Sequence, residues 1–160
     1  MVMELRQVLV VEDSYDHQEG AIKSLKDYRV VRRLSLFGNL EDFLKGLKGW
    51  GCKPGEFGVL TDLFFPVSKN DSSGELAPLG LVVLMKCQSL GIPCVIVTAG
   101  YHHGTKYNQA TSVLTVLDLW HNEYLVDHFD QDDSEAEAKE KDWSKGLEQL
   151  KAQAAKIGAE

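Results

Sequence analysis

Four residues of this 160-residue chain have the types and placement for chemistry on an anionic group: Glu12, Asp13, Asp62 and Thr98. Three carboxylates brought together repel one another and cost stability unless a cation joins them. A hard divalent ion such as Mg2+ is the natural partner, because it prefers oxygen ligands, needs only one or two carboxylates and keeps several waters. Thr98 adds a neutral hydroxyl that can donate to a phosphoryl oxygen. Taken singly, each has a plain alternative, and a lone Asp before a turn is a cap more often than a reactive group. The combination carries the weight, because each member follows an apolar run at the end of a candidate strand.

Those strands and the helices between them are legible as alternating patterns. Gln7 to Val11 is a short β-branched run with apolar residues in succession, which suits a strand covered on both faces. Helical spacing follows from Asp16 to about Lys26, with Ala21, Ile22 and Leu25 on one face. Val30 to Leu36 reads as a second strand, and Asn39 caps a second helix that stops near Gly49. Phe57 to Thr61 is strand three, ending in Asp62. Leu79 to Leu90 is a helix closed by Gly91 and Pro93, and Cys94 to Thr98 is the most strand-like run in the chain. Lys106 to Trp120 reads as a helix and Glu123 to Val126 as a weak fifth strand. Trp143, Leu147, Leu150, Ala154 and Ile157 mark an amphipathic last helix. Its heptad-like spacing also suits a dimer seam, although docking on the sheet is the simpler expectation. Five βα units predict an α/β fold: a flavodoxin-like, doubly wound, five-stranded parallel sheet with helices on both faces. In such sheets the site lies at the carboxyl ends of the strands, where Glu12, Asp13, Asp62 and Thr98 all fall.

The bulk numbers set the outer bounds. A length of 160 residues with 44% hydrophobic residues fits one domain spanning 1–160, with a polar insertion at 67–78 and an acidic one at 130–141. A net charge of −7 argues against a surface that grips nucleic acid or an anionic membrane. Cys52, Cys87 and Cys94 form no C-x-x-C pair and read as small hydrophobes. Apolar stretches fall well short of the roughly 20 residues that span a bilayer, and no signal-peptide pattern is present, so a cytoplasmic location is expected. Tyr101-His102-His103, even with His17, lacks the helical spacing of a transition-metal site and reads as a rim to the carboxylate cluster.

The segments Val8-Leu9-Val10-Val11-Glu12-Asp13-Ser14, Val59-Leu60-Thr61-Asp62-Leu63-Phe64-Phe65-Pro66 and Gly91-Ile92-Pro93-Cys94-Val95-Ile96-Val97-Thr98-Ala99 resemble the receiver domains of bacterial two-component response regulators. The likeness runs in order from about Leu5 to Gly100. It implies that Asp62 accepts a phosphoryl group and that Glu12, Asp13, Asp62 and the backbone carbonyl of Phe64 hold Mg2+. It further implies that Thr98 is a switch hydroxyl, that a histidine kinase or phosphotransfer protein is the donor, and that the chain is a phospho-acceptor rather than a turnover enzyme. Output would pass to a downstream protein through a monomer or weak homodimer. The pattern departs in two places. Gly80 is delayed by the 67–78 insertion. The family's Lys at the end of strand five has no counterpart between Tyr107 and Glu137, which leaves Lys141, or Lys139, as the candidate, with solvated lysines and a phosphorylation-independent interaction module as the alternative. A metal-dependent hydrolase is disfavoured by Phe64, two residues after Asp62, where such enzymes often carry a second Asp.

Overall fold

The computed structural model describes residues 4–34, 56–64, 78–98, 109, 112–116, 124–127 and 141–159. Within these the chain forms β1 (Gln7–Val11), α1 (Tyr15–Ser24), β2 (Arg29–Leu34), β3 (Phe57–Thr61), α2 (Leu79–Ser89), β4 (Cys94–Thr98), β5 (Leu125–Asp127) and α3 (Trp143–Ala159). Residues 112–116 are also helical. All strands run parallel, in the order β2-β1-β3-β4-β5. The helix expected after Asn39, most of the 67–78 and 130–141 insertions, Cys52, Lys139 and Tyr101-His102-His103 lie outside the described residues.

Period-two alternation explains why β1, β3 and β4 read as almost continuously apolar, since each meets a core on both sides. Leu9 and Val11 of β1, Phe57 and Val59 of β3, Cys94 and Ile96 of β4 and Leu125 of β5 point to one face, where α2 and Leu114 cover them. Val8, Val10, Leu60, Val95, Val97 and Val126 point to the other, against Ala21 and Leu25 of the α1 region and Trp143, Leu147 and Leu150 of α3. The heptad-like stripe of the last helix is therefore buried against the sheet.

Local chemistry sets the helix ends. Ser14 caps α1, its hydroxyl accepting from the His17 N–H at 3.5 Å. At the end of α2, Gly91 adopts φ 66° and Ile92 N donates to Cys87 O at 2.9 Å, after which Pro93 leads into β4. Asp142 caps α3 by accepting from the Lys145 N–H at 3.0 Å.

Helix α3 is matched to β4 at two points. Near its start, a Cβ on Gly146 would lie 2.6 Å from Val97 Cγ2, so helix and strand meet where only glycine fits. Two turns later Gln153 clamps the Cys94 backbone, accepting from its N–H at 2.9 Å and donating to its carbonyl at 3.0 Å. Seven helical residues and three strand residues each span about 10 Å, so the two contacts are commensurate only if α3 runs antiparallel to β4. The start of α3 is thereby delivered to the carboxyl ends of the strands.

These contacts separate two glycines that look alike in sequence. A Cβ on Gly20 would meet Trp143 no closer than 3.7 Å, an ordinary contact. Gly20→Ala is expected to stabilise the protein by about 0.5–1 kcal/mol through helix propensity. Gly146→Ala is expected to destabilise it by about 1–3 kcal/mol, because the buried Val97 side chain must give way. Urea unfolding of the two variants checks both signs.

Candidate functional site at the carboxyl ends of the strands

Strand register brings the candidate residues to one level. Val11 pairs with Thr61 and Thr61 with Ile96, so Glu12 and Asp62 are each one residue past aligned strand ends. Thr98 ends β4 beside Asp127. One carboxylate oxygen each from Glu12, Asp13 and Asp62 lies within 4.8 Å of the others. Glu12 and Asp62 are buried, whereas Asp13 is exposed.

Each buried carboxylate is fixed by its neighbours. Glu12 Oε1 accepts from the Ser14 N–H at 3.0 Å, and Gln18 Nε2 donates to the Glu12 carbonyl at 2.6 Å. Asp62 Oδ1 accepts from the Leu63 N–H at 2.8 Å. The Asp62 N–H continues the sheet by donating to Val11 O at 2.8 Å, and Thr61 Oγ1 donates to the Asp62 carbonyl at 2.9 Å. Gly80 N, at the start of α2, donates to Leu63 O at 3.0 Å, and a Cβ on Gly80 would come within 2.2 Å of the Asp62 carbonyl. Glycine is thus required for α2 to seat on the loop that carries Asp62, and the 67–78 insertion does not displace that contact.

Lys141 completes the cluster. Its side chain is 3% exposed, so it is not a solvated lysine. Its ammonium lies 2.9 Å from Asp62 Oδ1 and also donates to Glu12 Oε2. It arrives from the residue before the Asp142 cap of α3, with Lys141 O accepting from the Trp143 N–H at 2.9 Å. A cation beside the positive end of a helix is disfavoured by the helix dipole, so the two carboxylates hold it there. Lys139, the other candidate, lies outside the described residues.

The electrostatics call for a cation. Three ionised carboxylates against one ammonium leave two negative charges in a largely buried site, the charge of one divalent ion. Without an ion the site responds by protonation: burial, and then the charge of Asp62, push Glu12 from 4.5 up to about 8, and Lys141 offsets only part of this. Burial opposes the charge on Lys141, but Asp62 and then Glu12 outweigh it and raise its pKa. His17, half-buried on α1, is lowered by burial and then by Lys141, with Asp62, Asp13 and Asp16 opposing. The donor set is all oxygen and fits a hard cation such as Mg2+, with Glu12, Asp13, Asp62 and the Phe64 carbonyl as its candidate ligands.

Thr98 supplies an independent sign of a missing partner. It is 1% exposed, and among the described residues its Oγ1 has no hydrogen-bond partner. A buried hydroxyl left unpaired costs about 1–3 kcal/mol, so Thr98 is a ready donor to an acceptor oxygen at these strand ends. Sequence reasoning missed Ser14 and Gln18 as supports of Glu12, and Trp143 as a neighbour of Lys141. The Ser after the acidic pair was a readable cap, but nothing in one-dimensional spacing marks Trp143 as more than core.

The raised Glu12 pKa predicts a pH slope. Between about 4.5 and 8 the folded state holds a proton that the unfolded state has lost, so with chelator present stability falls as pH rises, by about 1 kcal/mol per unit. His17 opposes this only near and below its ordinary value, where lowering its pKa makes stability rise with pH. Binding of Mg2+ then displaces the Glu12 proton, and affinity increases towards about pH 8. Urea midpoints with and without Mg2+, and calorimetry in buffers of different ionisation enthalpy, check both. Glu12→Gln is expected to flatten the slope.

No family model matches this chain, and neither the curated proteins nor the solved structures include a significant match.

Proposed function

We propose that this chain is a stand-alone receiver domain of a two-component phosphorelay, accepting a phosphoryl group on Asp62 with the help of Mg2+. The observation that carries this reading is the buried Lys141 ammonium 2.9 Å from Asp62, beside Glu12 and on the same strand ends as the unpaired hydroxyl of Thr98. The strand order β2-β1-β3-β4-β5, with core on both sheet faces, supports the finer assignment to a flavodoxin-like, doubly wound fold over 1–160.

In this mechanism the chain mainly positions groups and neutralises charge, which is what phosphoryl transfer requires. Asp62 Oδ1 is engaged by the Leu63 N–H and Lys141, so we assign attack to Oδ2. An electron pair of Oδ2 forms the new P–O bond as the bond from phosphorus to the donor's imidazole nitrogen, or to the carboxylate oxygen of acetyl phosphate, breaks. The electron pair of that bond leaves with the donor. Bound Mg2+, held by Glu12, Asp13, Asp62 and the Phe64 carbonyl, would neutralise charge on the transferring group. Lys141 is placed to pair with the same charge and Thr98 Oγ1 to donate to a phosphoryl oxygen, the partner it lacks in the resting site.

The donor is a histidine kinase or phosphotransfer protein, and output is by contact with a downstream protein, in the cytoplasm and without nucleic acid or membrane. Among the described residues no helix is long and apolar enough to cross a membrane. The chain is read as a phospho-acceptor, not a turnover enzyme. The alternative, an interaction module that has lost phosphorylation, is motivated by the absence of a lysine at the family's spacing, and the Lys141–Asp62 pair supports the phospho-acceptor reading over it.

Incubation with Mg2+ and acetyl phosphate is expected to add one phosphoryl group by intact mass, and beryllofluoride to change Trp fluorescence. Asp62→Asn is expected to abolish both. Lys141→Met, with folding checked by circular dichroism, is expected to slow phosphorylation about tenfold or more, on the scale of a lost charge-assisted contact. Silence of the wild type towards both reagents would sink the reading in favour of an interaction module. Phosphate release over many turnovers would instead indicate a hydrolase.

A further inference from the structure

Trp143 poses a question that core packing does not answer. It is 2% exposed and packs among Leu25, Val97 and Leu147, yet among the described residues its indole N–H has no acceptor. That nitrogen lies beside Gly20 of α1, where a Cβ would sit 3.7 Å away. A buried donor without a partner is costly, and phenylalanine or leucine would fill an apolar space without that cost. What an indole adds over leucine is a π-face, and over phenylalanine a stronger one. The Lys141 ammonium stands over that ring, 5.7 Å from its centroid, within the range of a cation–π contact.

We propose that Trp143 is a positioning residue that holds the Lys141 ammonium at Asp62; the proposal rests on the reading that Lys141 serves a phospho-acceptor. Among the described residues the ammonium meets Glu12, Asp62 and the indole face. Two carboxylates bind it strongly and directionally. The ring binds it without a lone pair or a fixed direction. A third carboxylate would trap the ammonium in the resting site, whereas a π-face keeps it in place and lets it follow charge that moves from Asp62 to a phosphoryl oxygen. The backbone favours the arrangement, because the Trp143 N–H donates to the Lys141 carbonyl at 2.9 Å and ties the two residues at the start of α3.

The discriminating experiment changes the ring's electrostatics while leaving its shape nearly constant. The chain has three tryptophans, so Trp50→Phe/Trp120→Phe leaves Trp143 as the only indole. Into this background tryptophan and its mono-, di- and trifluorinated forms are incorporated. Two readouts are taken: the rate of Asp62 phosphorylation by acetyl phosphate with Mg2+, and hydrogen exchange of the Lys141 ammonium in the unphosphorylated protein by NMR. Both are expected to change stepwise with fluorine number, reaching about tenfold for the trifluoro ring, the scale of a desolvated cation–π contact. Trp143→Leu, if folded, is expected to match or exceed that limit. A purely structural Trp143 would leave both readouts flat across the series, and that result overturns the proposal. Graded ammonium exchange in a protein that never phosphorylates would uphold the positioning role and reject the phospho-acceptor reading. Flat exchange with normal phosphorylation would do the reverse.

Discussion

The buried ammonium of Lys141, shared between Glu12 and Asp62, is the interaction around which the rest of the site is arranged. Desolvating two carboxylates and a lysine costs several kcal/mol per ion, and a buried ion pair often does no better than packed hydrocarbon. The core therefore has no need of this cluster for stability. What the cluster provides is a fixed position for charge at the ends of strands whose register is set by hydrogen bonds deep in the sheet. Elements remote from the site serve that placement: Gln153 holds the base of β4, Gly146 permits close approach near its top, and Asp142 starts the helix one residue after Lys141.

The route by which the lysine arrives has a mechanical consequence. Its backbone belongs to the lead-in of a 17-residue helix rather than to the end of β5. A displacement of the ammonium is thus coupled to the first turn of α3, which is packed on β4 next to Thr98. On the opposite sheet face, Gly80 seats the start of α2 directly on the Asp62 carbonyl. Two helices on different faces are in this way mechanically attached to the same carboxylate, one through a side chain and one through backbone contact. Rigid packing transmits small shifts of this kind, because a close-packed interior has little free volume to absorb them.

Most of the fold was legible because buried parallel strands leave a strong mark: uninterrupted apolar runs such as Val8 to Val11 and Cys94 to Val97, each followed by a polar residue. Helix stops at Gly91 and Pro93 were legible for the same reason, since only a few residue types suit those conformations. The three strand-end carboxylates and Thr98 could be grouped from the rule for open α/β sheets. The lysine could not be settled, because 13 residues separate Asp127 from Lys141 and spacing says nothing about where such a segment returns. The decisive information lay in α3, whose antiparallel match to β4 fixes where residue 141 must be. The close approaches at Gly80 and Gly146 were equally hidden, because a glycine in a helix looks the same whether it faces solvent, a backbone as at Gly80 or a packed side chain as at Gly146.

Charge and hydrogen bonding together define what the site lacks. With every carboxylate ionised the cluster is short by two positive charges, and the protein's own remedy is a proton on Glu12. That remedy is incomplete, because it does nothing for Thr98, whose hydroxyl stays buried and unpaired. A cation relieves the carboxylates, and an acceptor oxygen brought with it serves the hydroxyl. An anion alone would be expelled by the carboxylates. A divalent cation together with an anionic oxygen-bearing group satisfies both demands at once, and a phosphoryl group on Asp62 is the arrangement that brings the acceptor without adding a separate ligand. The joint presence of buried carboxylates, an ammonium and a buried hydroxyl is more restrictive than an acidic cluster alone, and the proposed phospho-acceptor would use all of them.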